Sequence, residues 1–280
     1  MPQPLEIPRT FRLAHELWRT DPSELVAELN PSTFNPSGTP VLICAKNEAQ
    51  SLPATLRSLA ASEHPVMPVV VDNDSSDETS VVAEQMGARV VRERRPGKMA
   101  AFLTGLAYIT EEMPGITKIL STDADTVASS RWAGSLVQKL EDHPHDVGGV
   151  TFGLVGISGG PSRYTDILRT VVINRRQLIN KIQGKTPGAR GPHMGIAIGS
   201  ERATLDALLR VPADTYYATD ATQRNSVVAA GGHAQANLSP HIVVARGDRY
   251  TSLKQYLDFK RGRTSQAEIY QVDWAEPVTA

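Results

Sequence analysis

The chain has 280 residues, of which 40% are hydrophobic and 21% charged, as is typical of a globular protein with a large buried core. Its net charge of −1 excludes a global basic field for nucleic acid, and its single cysteine, Cys44, excludes a disulfide framework or a cysteine-based zinc site. No apolar run is long enough for a membrane span or a signal peptide, so we expect a cytoplasmic protein.

The first 38 residues predict a polar extension with one or two short helices, near residues 11–18 and 23–29. From residue 40 onward, short apolar and β-branched runs alternate with helical patterns. Four such runs are predicted to be strands: residues 41–45, 69–72, 89–92 and 118–122. Cys44 lies inside the first of them, where a buried structural thiol is expected.

The helices between these strands have recognisable ends. Ser51 and Pro53 predict the start of the first helix, and Gly87 predicts the end of the second. A third helix is predicted from Lys98 to about residue 109. This β-α alternation predicts an α/β fold with a doubly wound, mostly parallel sheet. Ligands of such sheets bind beyond the carboxyl ends of the strands.

The pattern is looser in the second half of the chain. After a helix over about 131–140, a strand is predicted over 150–155 and a long amphipathic helix over about 162–182. Glycines and prolines then predict a mobile loop over 184–195, which would close over a bound substrate. The later predicted elements are a segment over 195–199, a helix near 201–209, a helix after Asp220 and a strand over 241–245.

Polar residues follow the first two predicted strands. Ala45, at the end of the first, is followed by Lys46, Asn47 and Glu48, without the Gly-x-Gly-x-x-Gly turn of dinucleotide-binding folds. The second strand ends in the run 72–77, Asp-Asn-Asp-Ser-Ser-Asp. Its carboxylates and amide can accept hydrogen bonds from a base or a ribose, although part of the run is also expected to cap the next helix.

Charged groups accompany the other two strands. The basic run 94–98, Arg-Arg-Pro-Gly-Lys, precedes the third helix, where it can meet an anion or form a solvated charged surface. The fourth strand is followed by Asp123-Ala124-Asp125. Two carboxylates at a strand end can hold a divalent ion against a diphosphate. An Asp-x-Asp motif alone is weak evidence, but its place after the fourth strand strengthens it.

In type, order and spacing these motifs resemble those of the GT-A-fold nucleotide-sugar glycosyltransferases, especially the large, mainly inverting family 2. The matching motifs are residues 41–48, 71–79, 96–106 and 122–126. The resemblance implies a metal-dependent transfer of a sugar from a nucleoside diphosphate-sugar to a hydroxyl of a small-molecule or glycan acceptor, with Mg²⁺ or Mn²⁺ as cofactor. It implies a nucleotide-sugar-binding half over 39–126 and an acceptor-binding half over 127–263, between the extension 1–38 and a tail over 264–280.

The resemblance also implies a role for each matching residue. Asp125 would bind the metal, and Asp123 would contact the ribose or the metal shell. Asp220, which follows Tyr217-Ala218-Thr219, would be the general base. The residues expected to surround the nucleoside or the diphosphate are Ala45, Glu48, Asn73 and Lys98, together with Arg261 and Arg263 of a late basic element.

Other functions remain open at this point. A haloacid-dehalogenase-type phosphatase also has an Asp-x-Asp motif after a strand, but that strand should be the first of its sheet. A nucleotide-sugar pyrophosphorylase would need a glycine-rich loop near residues 45–51, and a non-catalytic sugar-binding module would leave the charged strand ends without a purpose. A retaining GT-A enzyme is a further alternative. The oligomeric state, including a homodimer, is likewise open. His193 and His241 can each contact the ion or the acceptor, although lone histidines are more often ordinary loop or strand residues.

Overall fold

The structure is a computed structural model that describes residues 6–113, 115–142, 146–158, 166–171, 174–175, 179, 194–213 and 219–246. For residues 219–221 it describes the backbone alone. The elements of the first half are α1 (Glu6–Leu17), α2 (Pro22–Ala27), β1 (Thr39–Ala45), α3 (Leu52–Ala60), β2 (Val66–Asp72), α4 (Thr79–Gln85), β3 (Arg89–Arg92), α5 (Lys98–Glu112) and β4 (Lys118–Asp123).

The elements of the second half are shorter and include more strands. They are β5 (Thr126–Ala128), α6 (Trp132–Glu141), β6 (Gly148–Phe152), β7 (Val155–Ser158), α7 (described at 166–171, 174–175 and 179), β8 (Met194–Ile198), α8 (Ala203–Leu209), α9 (Thr219–Ala229), β9 (His233–Ala236) and β10 (Val243–Arg246). None of the helices in the described part of the chain has both the length and the apolarity needed to cross a membrane.

The main sheet of the described residues has seven strands in the order β3-β2-β1-β4-β8-β6-β9. Strands β3, β2, β1 and β4 are parallel, β8 is antiparallel to both β4 and β6, and β9 is parallel to β6. The chain moves outward from β1 to β3 and then returns to place β4 on the other side of β1. The predicted α/β fold with a doubly wound, mostly parallel sheet is therefore confirmed.

A second, three-stranded sheet has the order β5-β10-β7. Helix α1 packs against all three of its strands. Ala14, Leu17 and Leu25 of the N-terminal helices share a small hydrophobic core with Val127 and Ile242 beside this sheet. The extension predicted to be polar thus contributes apolar side chains that cover β5, the strand that directly follows the acidic motif.

Helices cover the main sheet at β1 and β2. All seven residues of β2 are buried, as expected for a strand with helices on both faces. Gly105 of α5 allows the closest approach, because a Cβ atom there would lie 2.2 Å from Leu42 Cδ1 and 2.6 Å from Val71 Cγ2. Helix α5 therefore lies directly on β1 and β2, and this packing fixes the position of its first residue, Lys98.

Several predicted boundaries differ from the observed ones. The strand predicted over 150–155 is two strands, because the chain leaves the main sheet after Phe152 and joins the second sheet at Val155. The helix predicted after Asp220 begins one residue before it, at Thr219. Strands β5 and β9 were not predicted, because runs of three or four residues have no readable periodicity.

Two further predictions concern segments that are only partly described. Of the long helix predicted over 162–182, residues 166–171, 174–175 and 179 are helical and the others lie outside the described residues. Of the loop predicted over 184–195, residues 184–193 lie outside the described residues, and Met194 and Gly195 belong to β8.

Candidate active site

The carboxyl ends of four parallel strands meet at one edge of the main sheet. Ala45 at the end of β1 is level with Asp72 at the end of β2, and Asp72 is level with Arg92 at the end of β3. On the other side of β1, Cys44 is level with Asp123, the last residue of β4. The polar residues that follow these strands therefore converge, as the sequence predicted.

The loops after β1 and β2 are tied to each other. Asn47 Oδ1 accepts a hydrogen bond from Ser76 N at 2.8 Å, and Asn47 N donates to Ser75 Oγ at 2.9 Å. Glu48 N donates to Thr79 Oγ1 at 2.9 Å. Asn47 has a positive φ of 55°, which asparagine tolerates better than most residues. These hydrogen bonds thus fix the loop that follows Ala45 to the loop before α4 and to the first residue of α4.

Asp77 has a structural role at the start of α4, as was expected for part of the run 72–77. Its Oδ1 accepts from Thr79 N at 3.1 Å, within the first turn of α4. Its Oδ2 accepts from Ala49 N at 3.1 Å across the gap between the two loops. These bonds to Thr79 and Ala49 stabilise the helix start and the loop together.

Asn73 fixes the basic turn that follows β3. Its Nδ2 donates to Glu93 O at 3.0 Å and to Arg95 O at 2.7 Å, and its Oδ1 accepts from Gly97 N at 3.0 Å. The residue is 4% exposed. Both amide hydrogens and the carbonyl oxygen are therefore engaged with residues 93–97, a positioning role that the sequence did not indicate.

Glu93 and Arg95 stabilise the same turn from within. Arg95 Nη2 lies 2.6 Å from Glu93 Oε2, Arg95 N donates to Glu93 Oε1 at 2.7 Å, and Thr104 Oγ1 of α5 also donates to this carboxylate. These hydrogen bonds, that of the Arg95 side chain first, lower the pKa of Glu93 to about 2. The buried carboxylate is therefore ionised at neutral pH and holds the turn against α5.

The turn ends at Lys98, whose Nζ forms an ion pair with Asp123 Oδ1. Lys98 stands at the N-terminus of α5, where the helix dipole and free backbone N–H groups favour an anion. Both side chains are partly exposed. A cation and a carboxylate thus face the same accessible edge of the sheet.

The turn between the two acidic residues is held from below by α3. Thr55 Oγ1 donates to Ala124 O at 2.7 Å and accepts from Thr126 N at 3.2 Å. Asp125 O accepts from Arg246 N at 3.1 Å, which joins the turn to β10. Asp125 itself is 7% exposed. The acidic pair therefore has a rigid base made by α3 and the second sheet.

Thr55 and Arg246 support this turn but were not predicted from the sequence. Thr55 is a buried polar residue on a helix face that otherwise carries leucines, and this was its one available signal. Arg246 acts here through its backbone N–H, which no side-chain pattern can reveal.

Cys44 lies beside the ion pair of Lys98 and Asp123. Burial raises the pKa of its thiol to about 12, and the nearby Lys98 opposes this shift only in part. The thiol is therefore protonated at neutral pH. A structural role for Cys44 is consistent with this state, although the residue is partly rather than fully buried.

The acidic pair is compatible with a divalent ion such as Mg²⁺. Within the described residues, no group of three or more His, Cys, Asp or Glu side chains is placed to hold a metal. Mg²⁺ is usually bound through one or two carboxylates together with phosphate oxygens and water, so Asp123 and Asp125 suffice as its protein ligands. The donor set therefore fits an ion that is bound together with a diphosphate.

The remaining predicted site residues are only partly placed. Asp220 lies in the first turn of α9. His241 Nδ1 lies 3.8 Å from Glu6 Oε1, beside α1. His193, Arg261 and Arg263 lie outside the described residues.

A doubly wound sheet with a basic turn before α5 and an acidic pair after β4 defines the GT-A class of nucleotide-sugar glycosyltransferases. The chain belongs to glycosyl transferase family 2, whose sequence model matches residues 41–209. That segment contains β1 to β4 and the acidic pair. The family membership and the position of the pair after the fourth strand both disfavour the phosphatase alternative.

Relatives support the same assignment over part of the chain. An uncharacterized glycosyltransferase of Mycobacterium tuberculosis is 44% identical over 103 residues, which are 37% of this chain and 43% of that protein. A 4,4'-diaponeurosporenoate glycosyltransferase of Staphylococcus haemolyticus is 44% identical over 100 residues, 33% of this chain and 25% of that protein. The chain therefore spans less than half the length of these curated relatives.

Solved structures share the fold over most of the chain. Glucosyl-3-phosphoglycerate synthase from Mycobacterium tuberculosis, in complex with Mn²⁺, UDP and phosphoglyceric acid, superposes with a TM-score of 0.53 at 17% identity, covering 85% of this chain and 79% of that one. A second structure, described as a mycobacterial protein, gives 0.50 at 18% identity and covers 87% and 76%. At these identities the likeness shows the fold alone.

Proposed function

We propose that this protein transfers a sugar from a nucleoside diphosphate-sugar to a hydroxyl of a small-molecule or glycan acceptor, with inversion at the anomeric carbon. The observation that supports the proposal is the ion pair of Lys98 with Asp123 at one edge of the sheet, two residues before Asp125, in a chain of glycosyl transferase family 2. A cation beside two carboxylates is what a metal-bound diphosphate requires.

The donor would bind across the ends of β1, β2 and β4. Ala45 and Glu48 belong to the loop that is tied to the start of α4, and Asn73 holds the turn that leads to Lys98. In this proposal Ala45 and Glu48 contact the nucleoside, and Lys98 contacts the diphosphate. Asn73 supports the pocket through its hydrogen bonds to residues 93–97. The glucosyl-3-phosphoglycerate synthase of the same fold was solved with UDP-glucose and Mn²⁺, which makes UDP the first nucleotide to test.

Asp125 and Asp123 would hold Mg²⁺ or Mn²⁺. When bound, such an ion supplies Lewis-acid stabilisation of the charge on the departing diphosphate. Lys98 adds a positive charge at the same edge, and its position at a helix N-terminus adds backbone N–H groups to it. Arg261 and Arg263, which lie outside the described residues, would add further positive charge over the diphosphate.

Asp220 would take the proton of the attacking hydroxyl. A sugar hydroxyl is a poor nucleophile at neutral pH, so direct displacement needs a base within hydrogen-bond reach. Asp220 lies in the first turn of α9, in the part of the chain that we assign to the acceptor. A retaining enzyme of the same fold is the alternative. The anomeric configuration of the product, read by NMR, separates the two.

Thermal melts with UDP, GDP and dTDP, each with Mn²⁺ or with EDTA, test donor and metal binding directly. A ligand that binds the native state raises its stability, by about 2.7 kcal/mol at a concentration 100-fold above its Kd. We expect one nucleotide to stabilise the protein with metal and to lose most of this effect in EDTA. Asp125→Asn should lose it even with metal present. Equal stabilisation by that nucleotide in metal and in EDTA would contradict the metal role.

A transfer assay then tests the reaction itself. We expect release of nucleoside diphosphate from the stabilising donor, accelerated by an acceptor alcohol and abolished in Asp125→Asn. Release of phosphate from small phosphomonoesters without any sugar acceptor would instead favour the phosphatase alternative.

A further inference from the structure

The acidic pair lies at the junction between the two sheets. Asp123 is the last residue of β4 in the main sheet, and Asp125 directly precedes β5 of the second sheet. Ala124 and Asp125 form the turn that joins these strands and belong to neither of them. The position of the Asp125 carboxylate relative to that of Asp123 therefore depends on the hydrogen bonds made to the turn itself.

The hydroxyl of Thr55 holds the backbone on both sides of Asp125. Thr55 Oγ1 donates to Ala124 O at 2.7 Å and accepts from Thr126 N at 3.2 Å. The first of these groups belongs to the peptide before Asp125, and the second belongs to the peptide after it. One side chain of α3 thus fixes the orientation of both peptide groups from which Asp125 projects.

These hydrogen bonds are shielded from water. Thr55 and Thr126 are each 1% exposed, and Ala124 is 3% exposed. Without the hydroxyl, a buried C=O and a buried N–H would both lack a partner, and the turn would have to shift to find others. Because Thr55 has almost no exposed surface, it can affect a bound ion only through the turn.

We propose that Thr55 is a positioning residue that sets the affinity of the acidic pair for a divalent ion. The inference rests on the proposed function, because it takes Asp123 and Asp125 as the metal ligands. Mg²⁺ requires near-ideal octahedral geometry, so the directions of its few carboxylate ligands matter. Groups that orient metal ligands without touching the ion change metal affinity or activity by about 10- to 100-fold when they are replaced.

Titration calorimetry of the full chain with Mn²⁺ alone, without nucleotide or sugar, tests the proposal. Thr55→Val keeps the branched shape of the side chain and removes the hydroxyl, so we expect the Kd for Mn²⁺ to rise by about tenfold or more. Thr55→Ser keeps the hydroxyl and should recover most of the affinity. If Thr55→Val does not fold, Thr55→Ala removes the same hydroxyl without placing a methyl group against the turn.

Ser58 provides a matched control on the same helix. It is 2% exposed, and its Oγ accepts from Ala128 N at 3.0 Å and donates to Thr55 O at 2.7 Å. Ala128 is the last residue of β5, at the other end of the strand from the acidic pair. Ser58→Ala should therefore lower the Tm as Thr55→Val does, while its Kd for Mn²⁺ stays that of the unaltered chain.

Amide hydrogen exchange, measured by NMR without metal, gives a second readout. The Thr126 N–H donates to Thr55 Oγ1, so Thr55→Val should accelerate exchange at Thr126. Ser58→Ala should accelerate exchange at Ala128 instead. This pattern would show that each hydroxyl holds its own part of the turn and strand.

Two results would overturn this inference alone. The first is the same Kd for Mn²⁺ in the unaltered chain and in folded Thr55→Val. The second is an equal loss of Mn²⁺ affinity in Thr55→Val and Ser58→Ala, since the effect would then come from the general stability of α3. Failure of the unaltered chain to bind Mn²⁺ would be a different result, because it would overturn the metal role in the proposed function together with this inference.

Discussion

Lys98 Nζ and Asp123 Oδ1 form an ion pair that joins the first residue of α5 to the last residue of β4. The pair brings the basic turn and the acidic motif, which are 25 residues apart in the sequence, to the same point of the sheet edge. Any cation that binds Asp123 must share this carboxylate with Lys98. Any anion that binds Lys98 must share it with Asp123.

The first prediction follows from this shared position. Lys98→Met should weaken nucleoside diphosphate binding by about tenfold, because a charge-assisted hydrogen bond donor is lost. The same change should strengthen binding of Mn²⁺ alone, because the competing ammonium group is removed. Titration calorimetry with Mn²⁺ alone, and with the diphosphate in the presence of Mn²⁺, measures both effects.

Lys118 is the matched control for Lys98. It begins β4 at the opposite edge of the sheet, and its Nζ lies 3.0 Å from Glu141 Oε1. Lys118→Met should leave both affinities unchanged. A similar loss of affinity in the two variants would argue that Lys98 acts through stability alone.

The second prediction concerns Asn73. In Asn73→Asp, a carboxylate would face the carbonyl oxygens of Glu93 and Arg95, and both donated hydrogen bonds would be lost. We expect the free energy of unfolding to fall by about 2–3 kcal/mol, as measured by urea denaturation without ligands. Asn35→Asp is the control, because Asn35 serves an exposed turn as an acceptor only, and it should change stability by less than about 0.5 kcal/mol. If the free energy of unfolding of Asn73→Asp is unchanged, Asn73 does not stabilise the turn, and nucleoside binding is its only proposed role.

The third prediction is a pH dependence. The pKa of Glu93 is lowered from 4.5 to about 2 in the folded chain, so its ionised form stabilises the fold above pH 4.5, and this stabilisation is lost as the pH falls towards 2. Glu93→Gln should be less stable than the unaltered chain by about 1–2 kcal/mol at pH 7, a value kept low because Arg95 is largely exposed. The difference should shrink as the pH falls from 4.5.

Denaturant titrations at several pH values measure this dependence. Glu63→Gln is the control, because Glu63 and its partner Arg131 are both largely exposed and such pairs contribute little. A stability difference between the Glu93→Gln variant and the unaltered chain that persists down to pH 2 would mean that packing, rather than charge, is responsible.

The fourth prediction tests the packing that places Lys98. Gly105→Ala puts a methyl group within 2.2 Å of Leu42 Cδ1, so we expect a loss of about 1–3 kcal/mol in the free energy of unfolding. Gly134 of α6 is also helical, but its nearest contact would be an ordinary 3.5 Å to His64 Cβ. Gly134→Ala should therefore stabilise the chain by about 0.5–1 kcal/mol. Equal effects of the two substitutions in urea denaturation would contradict this packing of α5.

The sequence predicted the first half of the fold more closely than the second. Strands β1 to β4 are long enough to show a continuous apolar pattern, and Gly87, with a φ of 87°, follows α4 as expected. The second sheet was missed because β5 and β7 have three and four residues, and β10 pairs with them from far along the chain. Long-range pairing of this kind is set by tertiary packing, which no local period reports.

The same difference holds within the candidate site. The meeting of Lys98 with Asp123 at the sheet edge could be predicted, because charged residues after strands are a local signal. The engagement of Asn73 with the basic turn was not predicted, because it depends on the distance between the ends of β2 and β3. Ser51 was expected to cap α3, but it makes no side-chain bond to the helix and has a helical φ and ψ itself. Residue types thus predicted where the candidate site lies better than they predicted which hydrogen bonds its residues form.

The last prediction concerns Asp220, the proposed base. The helix begins at Thr219, so Asp220 stands in the first turn rather than before the helix. A carboxylate there can stabilise the helix through its dipole, by about 0.3–1 kcal/mol, without any part in the chemistry. Asp206 holds a comparable place in the first turn of α8 and is the matched control.

The two roles predict different results for Asp220→Asn. If Asp220 is the base, the variant should keep its fold and its donor affinity, while the rate of transfer falls by roughly 10²-fold or more, because an amide cannot accept the proton. Asp206→Asn should lose a similar small amount of stability and keep its transfer rate. Steady-state kinetics with saturating donor, together with thermal melts of both variants, measure these quantities. If the two variants lose stability alike and transfer at the same rate, Asp220 acts on the helix dipole, and the proton must pass to another group.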